Sequence, residues 1–365
     1  MPLANEMVTG EPIAEANPTP PSGAGTEPPG QSQPPLADSL RPLPDQRIAL
    51  VGVNVAGAEF TGDALPGVAG THYFFPPRHY FAKWRDRGVR SIRFPVKWER
   101  LQPSQFAELD PVYAGLIDTM LQQADQYGME VLLDVHNYGR YYGGVIGRDV
   151  PFAAYRDLTR KIAQRWRNAP GLYGYDIMNE PYGSADQYWP EAAQAGIDGI
   201  RSYDVARPIF IEGAHYASAS RWPSYSDALR NLEDPYDNLV FSAHLYLDPD
   251  TSGSYKEAPS DSFDTMIGVR RLTPFVEWLK RYGKRGHIGE FGVPGDDPRW
   301  LEAMDNVLAY LQDNCIPMHY WAAGTHWGSY KLSIEPNSDG SDKPQWAVLN
   351  KYIGQGNCTR YGPLR

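Results

Sequence analysis

The chain has 365 residues, 42% hydrophobic and 21% charged, enough to bury one large α/β domain or two average ones. Its formal charge of −10 argues against nucleic acid and anionic membrane surfaces as partners, and no run approaches the roughly 18 apolar residues of a membrane span. Two cysteines, Cys315 and Cys358, are too few for a disulfide framework.

Residues 1–46 form a region of their own. They hold 11 of the 33 prolines, six acids, one base and no aromatic residue. Stretches such as Pro18-Thr19-Pro20-Pro21 and Glu27-Pro28-Pro29-Gly30 bury too little apolar surface to offset the entropy of ordering, which predicts a disordered tail or linker. The opening Met1-Pro2-Leu3-Ala4-Asn5-Glu6 shows neither a basic n-region nor an apolar h-region. That fits a mature chain or one that stays in the cell.

Residues 47–365 have a different texture, with short apolar runs alternating with helical patterns. The runs are Ile48–Val53, Ser91–Pro95, Val131–Val135, Leu172–Met178, Pro208–Ile211, Leu239–His244, His287–Glu290 and Met318–Trp321. Amphipathic stretches lie between them at Pro111–Tyr127, Pro151–Arg167, Phe263–Tyr282 and Pro298–Asn314. Eight strand–helix units predict an α/β protein, a single (β/α)₈ TIM barrel. An open doubly wound sheet is the competitor, but Gly52-Val53-Asn54-Val55-Ala56-Gly57 does not fit the glycine-rich phosphate turn such a sheet normally carries.

In a barrel of this kind, function gathers at the C-terminal ends of the strands. Those ends read Asn54, Arg93, His136, Asn179-Glu180, Glu212, His244 with Tyr246, Glu290 and Trp321. Cleaving a glycosidic bond with retention needs two carboxyl groups about 5–5.5 Å apart. Strands 4 and 7 lie three apart in a ring of eight, so Glu180 and Glu290 face each other across the mouth. Glu212 sits beside Glu180 and is worse placed, more a supporting or capping acid.

The ordered set Arg93-Phe94-Pro95, Asp134-Val135-His136-Asn137-Tyr138, Asn179-Glu180-Pro181, His244-Leu245-Tyr246, Gly289-Glu290-Phe291-Gly292 and Tyr320-Trp321 resembles the motifs of glycoside hydrolase family 5, a family of retaining barrel glycosidases. The resemblance covers about residues 47–353, and the opening strand is similar to the endoglucanase (cellulase) subgroup. It implies Glu180 as acid/base and Glu290 as nucleophile, the latter kept ionised by Arg93 and the Tyr246 hydroxyl. It further implies that Asn179 bonds the sugar 2-OH, that His136 and His244 orient substrate and acid/base, and that Trp321 forms the stacking floor. A cis peptide after Trp321 belongs to the same pattern.

Side chains alternate along a strand, so Asn179 and Glu180 cannot both point inward unless the chain twists or bulges there. Tyr138, Tyr141, Tyr142, Tyr182, Tyr216, Trp222 and Trp327 follow strand ends in loops where further sugars would bind. Tyr216 departs from the subgroup, which often carries Asn-Trp where this chain has His215-Tyr216. Cys315 precedes strand 8 at the barrel bottom and Cys358 follows the last helix, which makes a disulfide or two free thiols the alternatives.

The expected activity is therefore a retaining endo-β-1,4-glucanase acting on cellulose-type polysaccharide. Mannan, xylan or mixed-linkage glucan are alternative polymers, and a catalytically inactive sugar-binding barrel is an alternative of another class. No cofactor and no metal are expected: strand 1 lacks the His-x-His pair of metal-dependent barrel hydrolases, and the other histidines stand singly in sequence. A monomer is expected, outside the cell or in the periplasm, because a polymeric glycan cannot enter.

Overall fold

The computed structural model describes residues 48–355 and 357–363, and the expected tail of residues 1–46 lies outside them. Eight parallel strands close a barrel: β1 Val51–Val55, β2 Ser91–Val96, β3 Glu130–Val135, β4 Leu172–Asp176, β5 Ile209–Glu212, β6 Leu239–Leu245, β7 Gly286–Phe291 and β8 Met318–Ala323. Each strand pairs with its neighbours in chain order, and β8 closes on β1. Their near-continuous burial is what parallel strands covered on both faces require.

Five helices longer than two turns are described: α1 Pro111–Gln126, α2 Phe152–Trp166, α3 Trp189–Arg201, α4 Ile267–Tyr282 and α5 Pro298–Asp313. Local chemistry fixes several ends. Asp110 caps α1 by accepting from the amides of Val112 and Tyr113, with Pro111 at the first helical position. Asp297 caps α5 through the Arg299 amide, and Gly283, at φ +63°, ends α4. Four of the five correspond to the amphipathic stretches of the sequence. The fifth, α3, carries small residues where it meets α2. A Cβ on Gly199 would stand 2.0 Å from Thr159 Oγ1 and 2.5 Å from the Arg156 carbonyl. Glycine is what lets the two helices approach.

Beneath the mouth, the interior is crossed by a file of polar side chains. Ser242 Oγ lies 3.0 Å from His287 Nδ1, His287 Nε2 lies 2.8 Å from His319 Nδ1, and His319 Nε2 lies 2.9 Å from Ser91 Oγ. Burial drives both imidazole pKa values down, that of His319 to about 3, so the pair is neutral. Histidines that stand singly in sequence thus meet in space, each nitrogen taken by a neighbour.

At the opposite end from the mouth, a disulfide joins Cys315 to Cys358. The Ile48 amide donates to the Cys358 carbonyl and the Gly362 amide to the Cys315 carbonyl, while Gly286 donates to Gly362. The bridge closes 43 residues and laces the last segment to the lower ends of β7 and β8. Cys358→Ser is expected to lower stability by about 2–4 kcal/mol, read as a lower urea midpoint, with turnover unchanged under native conditions.

Candidate active site

Arg93, in the middle of β2, is fully buried at 0% exposure, and its guanidinium organises the mouth. Nε donates to Asp176 Oδ2 at 2.8 Å, and Nη1 donates to Asn54 Oδ1 at 2.9 Å and Glu290 Oε1 at 3.1 Å. Nη2 donates to Asn179 Oδ1 at 2.8 Å and Glu212 Oε1 at 2.7 Å, with Asp134 Oδ2 also 3.0 Å away. One cation therefore meets four acids, from β3, β4, β5 and β7.

Four acids around one arginine cannot all keep a full charge away from water. Burial lifts Asp134 to about 7 and Asp176 well above the ordinary range, against the pull of Arg93. Glu212 goes the other way: burial opposes ionisation there too, but His244 and Arg93 outweigh it and bring the carboxyl down to about 2. The second oxygens of Asp134 and Asp176 are buried without a partner, which costs less for a neutral carboxyl than for an anion.

Glu180 stands just beyond β4. The ladder ends at Asp176, and Glu180 takes a left-handed φ of +43°, so the alternation problem at Asn179-Glu180 is resolved by leaving the strand. The Glu180 amide donates to Glu212 Oε2 at 2.7 Å. Its side chain is 16% exposed, with Oε1 lying 2.6 Å from His244 Nδ1. Burial raises this carboxyl to about 7, further helped by Glu290 and Glu212 and opposed by His244.

Glu290 is held by one donor on each oxygen, Arg93 on Oε1 and the Tyr246 hydroxyl on Oε2 at 2.7 Å. Oxygens of Glu180 and Glu290 and a nitrogen of His244 lie within 4.8 Å of one another. Three such groups could suggest a metal centre. His244, however, faces Glu180 through Nδ1 and Glu212 through Nε2 at 2.9 Å, and although burial acts to lower its pKa, Glu212 and Glu290 raise it well above the ordinary imidazole range. A doubly protonated imidazole has no lone pair to give a metal.

Around the acids, Trp321 lies nearly parallel to His136, with ring centres 5.8 Å apart, and the Trp321–Ala322 peptide is cis. His136 Nδ1 lies 2.7 Å from Asp134 and Nε2 3.2 Å from the Tyr138 hydroxyl. Trp327 meets Trp321 edge-on and stacks on Tyr330. A cavity of about 600 Å³ opens beside Glu180, His244 and Tyr246, walled by Tyr138, Tyr182 and Tyr216. Asn179 Nδ2 is buried without a partner at the same centre.

Two expectations fail. Trp222 has 0% exposure and packs into the core against Phe275 and Trp278, because the turn that carries it rests on α4. It cannot touch sugar. Tyr141 is likewise buried, its hydroxyl donating to the Gln102 carbonyl. Conversely, Asp134 and Asp176 enter as partners of Arg93 that the strand-end reading passed over. Their signal was an acid inside an apolar run, which needs a buried cation to be tolerated.

Residues 53–326 match the model of the cellulase family, glycosyl hydrolase family 5. The chain belongs to glycosyl hydrolase family 5. This hydrolase is 47% identical to the endoglucanase Cel5A of Pseudomonas stutzeri, solved with cellobiose, at a TM-score of 0.83 covering 87% of this chain and 98% of that one. It is also 34% identical to a probable endo-beta-1,4-glucanase B of Aspergillus oryzae, across 83% of this chain and 90% of that protein. An endo-beta-1,4-glucanase from Xanthomonas axonopodis pv. citri is similar at 35% identity and a TM-score of 0.78, covering 84% and 98%.

In this family 5 hydrolase, Arg93→Met strips the cation from its four acids. Breaking a buried ion pair costs about 3–5 kcal/mol, and a loss of that size is expected in chemical denaturation.

Proposed function

We propose that this hydrolase is a retaining endo-β-1,4-glucanase that cuts internal bonds of cellulose-type β-glucans, with Glu180 as acid/base and Glu290 as nucleophile. The observation that carries the reading is the close pair of carboxyl groups in opposite surroundings. An oxygen of each lies within 4.8 Å of an oxygen of the other, in keeping with the short spacing of retaining enzymes.

In the first step a Glu290 oxygen forms a bond to the anomeric carbon while the bond from that carbon to the leaving oxygen breaks. The Glu180 proton passes to the leaving oxygen. Arg93 and Tyr246 orient the attacking carboxylate, and the unpaired Asn179 Nδ2 is placed to donate to the sugar 2-OH. In the second step the Glu180 carboxylate takes a proton from water, whose oxygen attacks the anomeric carbon and releases Glu290.

Trp321 supplies an apolar floor for the sugar at the cleavage point, with Tyr138 and His136 on one flank. Trp327 extends the aromatic surface. The choice of a β-1,4-glucan follows the relatives, which are endoglucanases, one of them bound to cellobiose. Tyr216 supports a second reading, the same chemistry on mannan, xylan or mixed-linkage glucan. It is 47% exposed and lies face to face with Tyr182 at 4.4 Å, an unusual wall for the leaving side. Acting on a polymer that stays outside cells, the enzyme works as an extracellular or periplasmic monomer with no cofactor.

Digestion of cello-oligosaccharides followed by anomer-resolved NMR is expected to release β-anomeric ends first, and α-anomers would overturn the mechanism. Higher rates on mannan or xylan than on cellulose derivatives would move the substrate to the second reading. Because a general acid must hold its proton, kcat/KM is expected to fall about tenfold per pH unit above about 7. Glu180→Gln should abolish that limb and lower kcat about 10²–10⁴-fold on unactivated sugars.

A further inference from the structure

We infer that Glu212 is a positioning residue that decides which oxygen of Glu180 carries the proton delivered to the leaving group. The inference rests on the reading of Glu180 as the acid and adds the device that aims it.

Glu212 makes no approach to the bond being cleaved. It lies at the end of β5 at 0% exposure, and its carboxylate serves three groups. Oε2 accepts the Glu180 amide at 2.7 Å, which fixes the backbone where φ is +43°. Oε1 accepts from Arg93 Nη2 at 2.7 Å and meets His244 Nε2 at 2.9 Å. An anion at Nε2 keeps a proton on that nitrogen, and Glu180 with Glu290 keeps the second proton on Nδ1, 2.6 Å from Glu180 Oε1 and 3.6 Å from Glu290 Oε2.

The consequence concerns one hydrogen atom. While Nδ1 donates to Glu180 Oε1, that oxygen is an acceptor, and the acid proton sits on Oε2. Were Nδ1 bare, Glu180 would point its proton at the imidazole instead, away from the leaving oxygen. Glu212 thus sets the direction of proton delivery through His244 without touching substrate.

The site is shaped for this contact. A Cβ on Gly289 would come within 2.8 Å of His244 Nε2 and 3.2 Å of Glu212 Oε1, so only glycine leaves the pair room to meet. The charged and titratable groups around Glu212 are Arg93 from β2, Asp134 from β3, Asp176 from β4, Glu180 beyond β4 and His244 from β6, with Glu290 of β7 acting through His244. Removing one buried negative charge from this set makes the Glu180–His244 pair release its first proton at lower pH, whichever member gives it up.

The test compares Glu212→Gln and Glu212→Asp with the wild type on two β-cellobiosides, 2,4-dinitrophenyl and phenyl. The dinitrophenolate leaves without an acid and the phenolate needs one. Glu212→Gln is expected to lose about 10²-fold in kcat on the phenyl substrate and within about threefold on the dinitrophenyl substrate, with KM little changed. Its alkaline limb should move down by about one pH unit or more. Glu212→Asp, which keeps the charge, should return the limb to the wild-type position, and it carries the test if the Gln variant unfolds. Equal losses on both substrates, or an unmoved limb, would overturn the inference. Glu180→Gln is run alongside: if it keeps full activity on the phenyl substrate, the assignment of the acid is what has failed.

Discussion

A guanidinium sealed inside a parallel barrel has no water to solvate it, and the rest of the mouth is arranged around that fact. Arg93 draws a carboxyl from each of β3, β4, β5 and β7 to the axis, together with the amides of Asn54 and Asn179. Because its donors form a rigid fork, the strands that supply acceptors are held in one mutual register. Glu290, the proposed nucleophile, is one of those acceptors. Its position is therefore set by the same contacts that keep the buried cation tolerable.

Charge then divides unevenly among the acids, and that division sets apart the roles proposed for them. Asp134 and Asp176 are pushed towards the neutral form by burial, Glu212 is kept ionised by two cations, and Glu180, at the rim, is raised to about 7. Two carboxyl groups a few ångströms apart can serve as acid and nucleophile only if their surroundings differ in this way. Glu180 faces a histidine and the cavity; Glu290 faces an arginine and a phenol. The chemistry follows from this difference in partners more than from the residue type, since both are glutamates.

The aromatic residues obey a different rule. Tyr138, Tyr182 and Tyr216 wall the cavity, whereas Trp222 and Tyr141, equally placed after strand ends, fill the core. A large ring in a loop can face either way, and what decides is whether a helix lies beneath it. The segment after β5 that carries Trp222 rests on α4, where the ring packs against Phe275 and Trp278, so Trp222 turns inward. No pattern along the chain distinguishes the two cases.

The sequence by itself determined the barrel and the acids at its mouth. Eight buried runs separated by helical stretches leave few alternatives, and polar residues at strand ends, where a core wants valine or leucine, mark the side that works. It also placed Glu180 and Glu290 across from each other, because the order of strands in a closed ring is fixed by the order of the chain. Only the tertiary structure decided how the charges are shared. That Asp176 meets Arg93, that His287 meets His319, and that Glu212 holds both the amide of Glu180 and the ring of His244 depends on contacts between residues 32 to 83 positions apart. Such contacts turn on side-chain reach and on the absence of a Cβ at Gly289, and neither leaves a period that can be read along the chain.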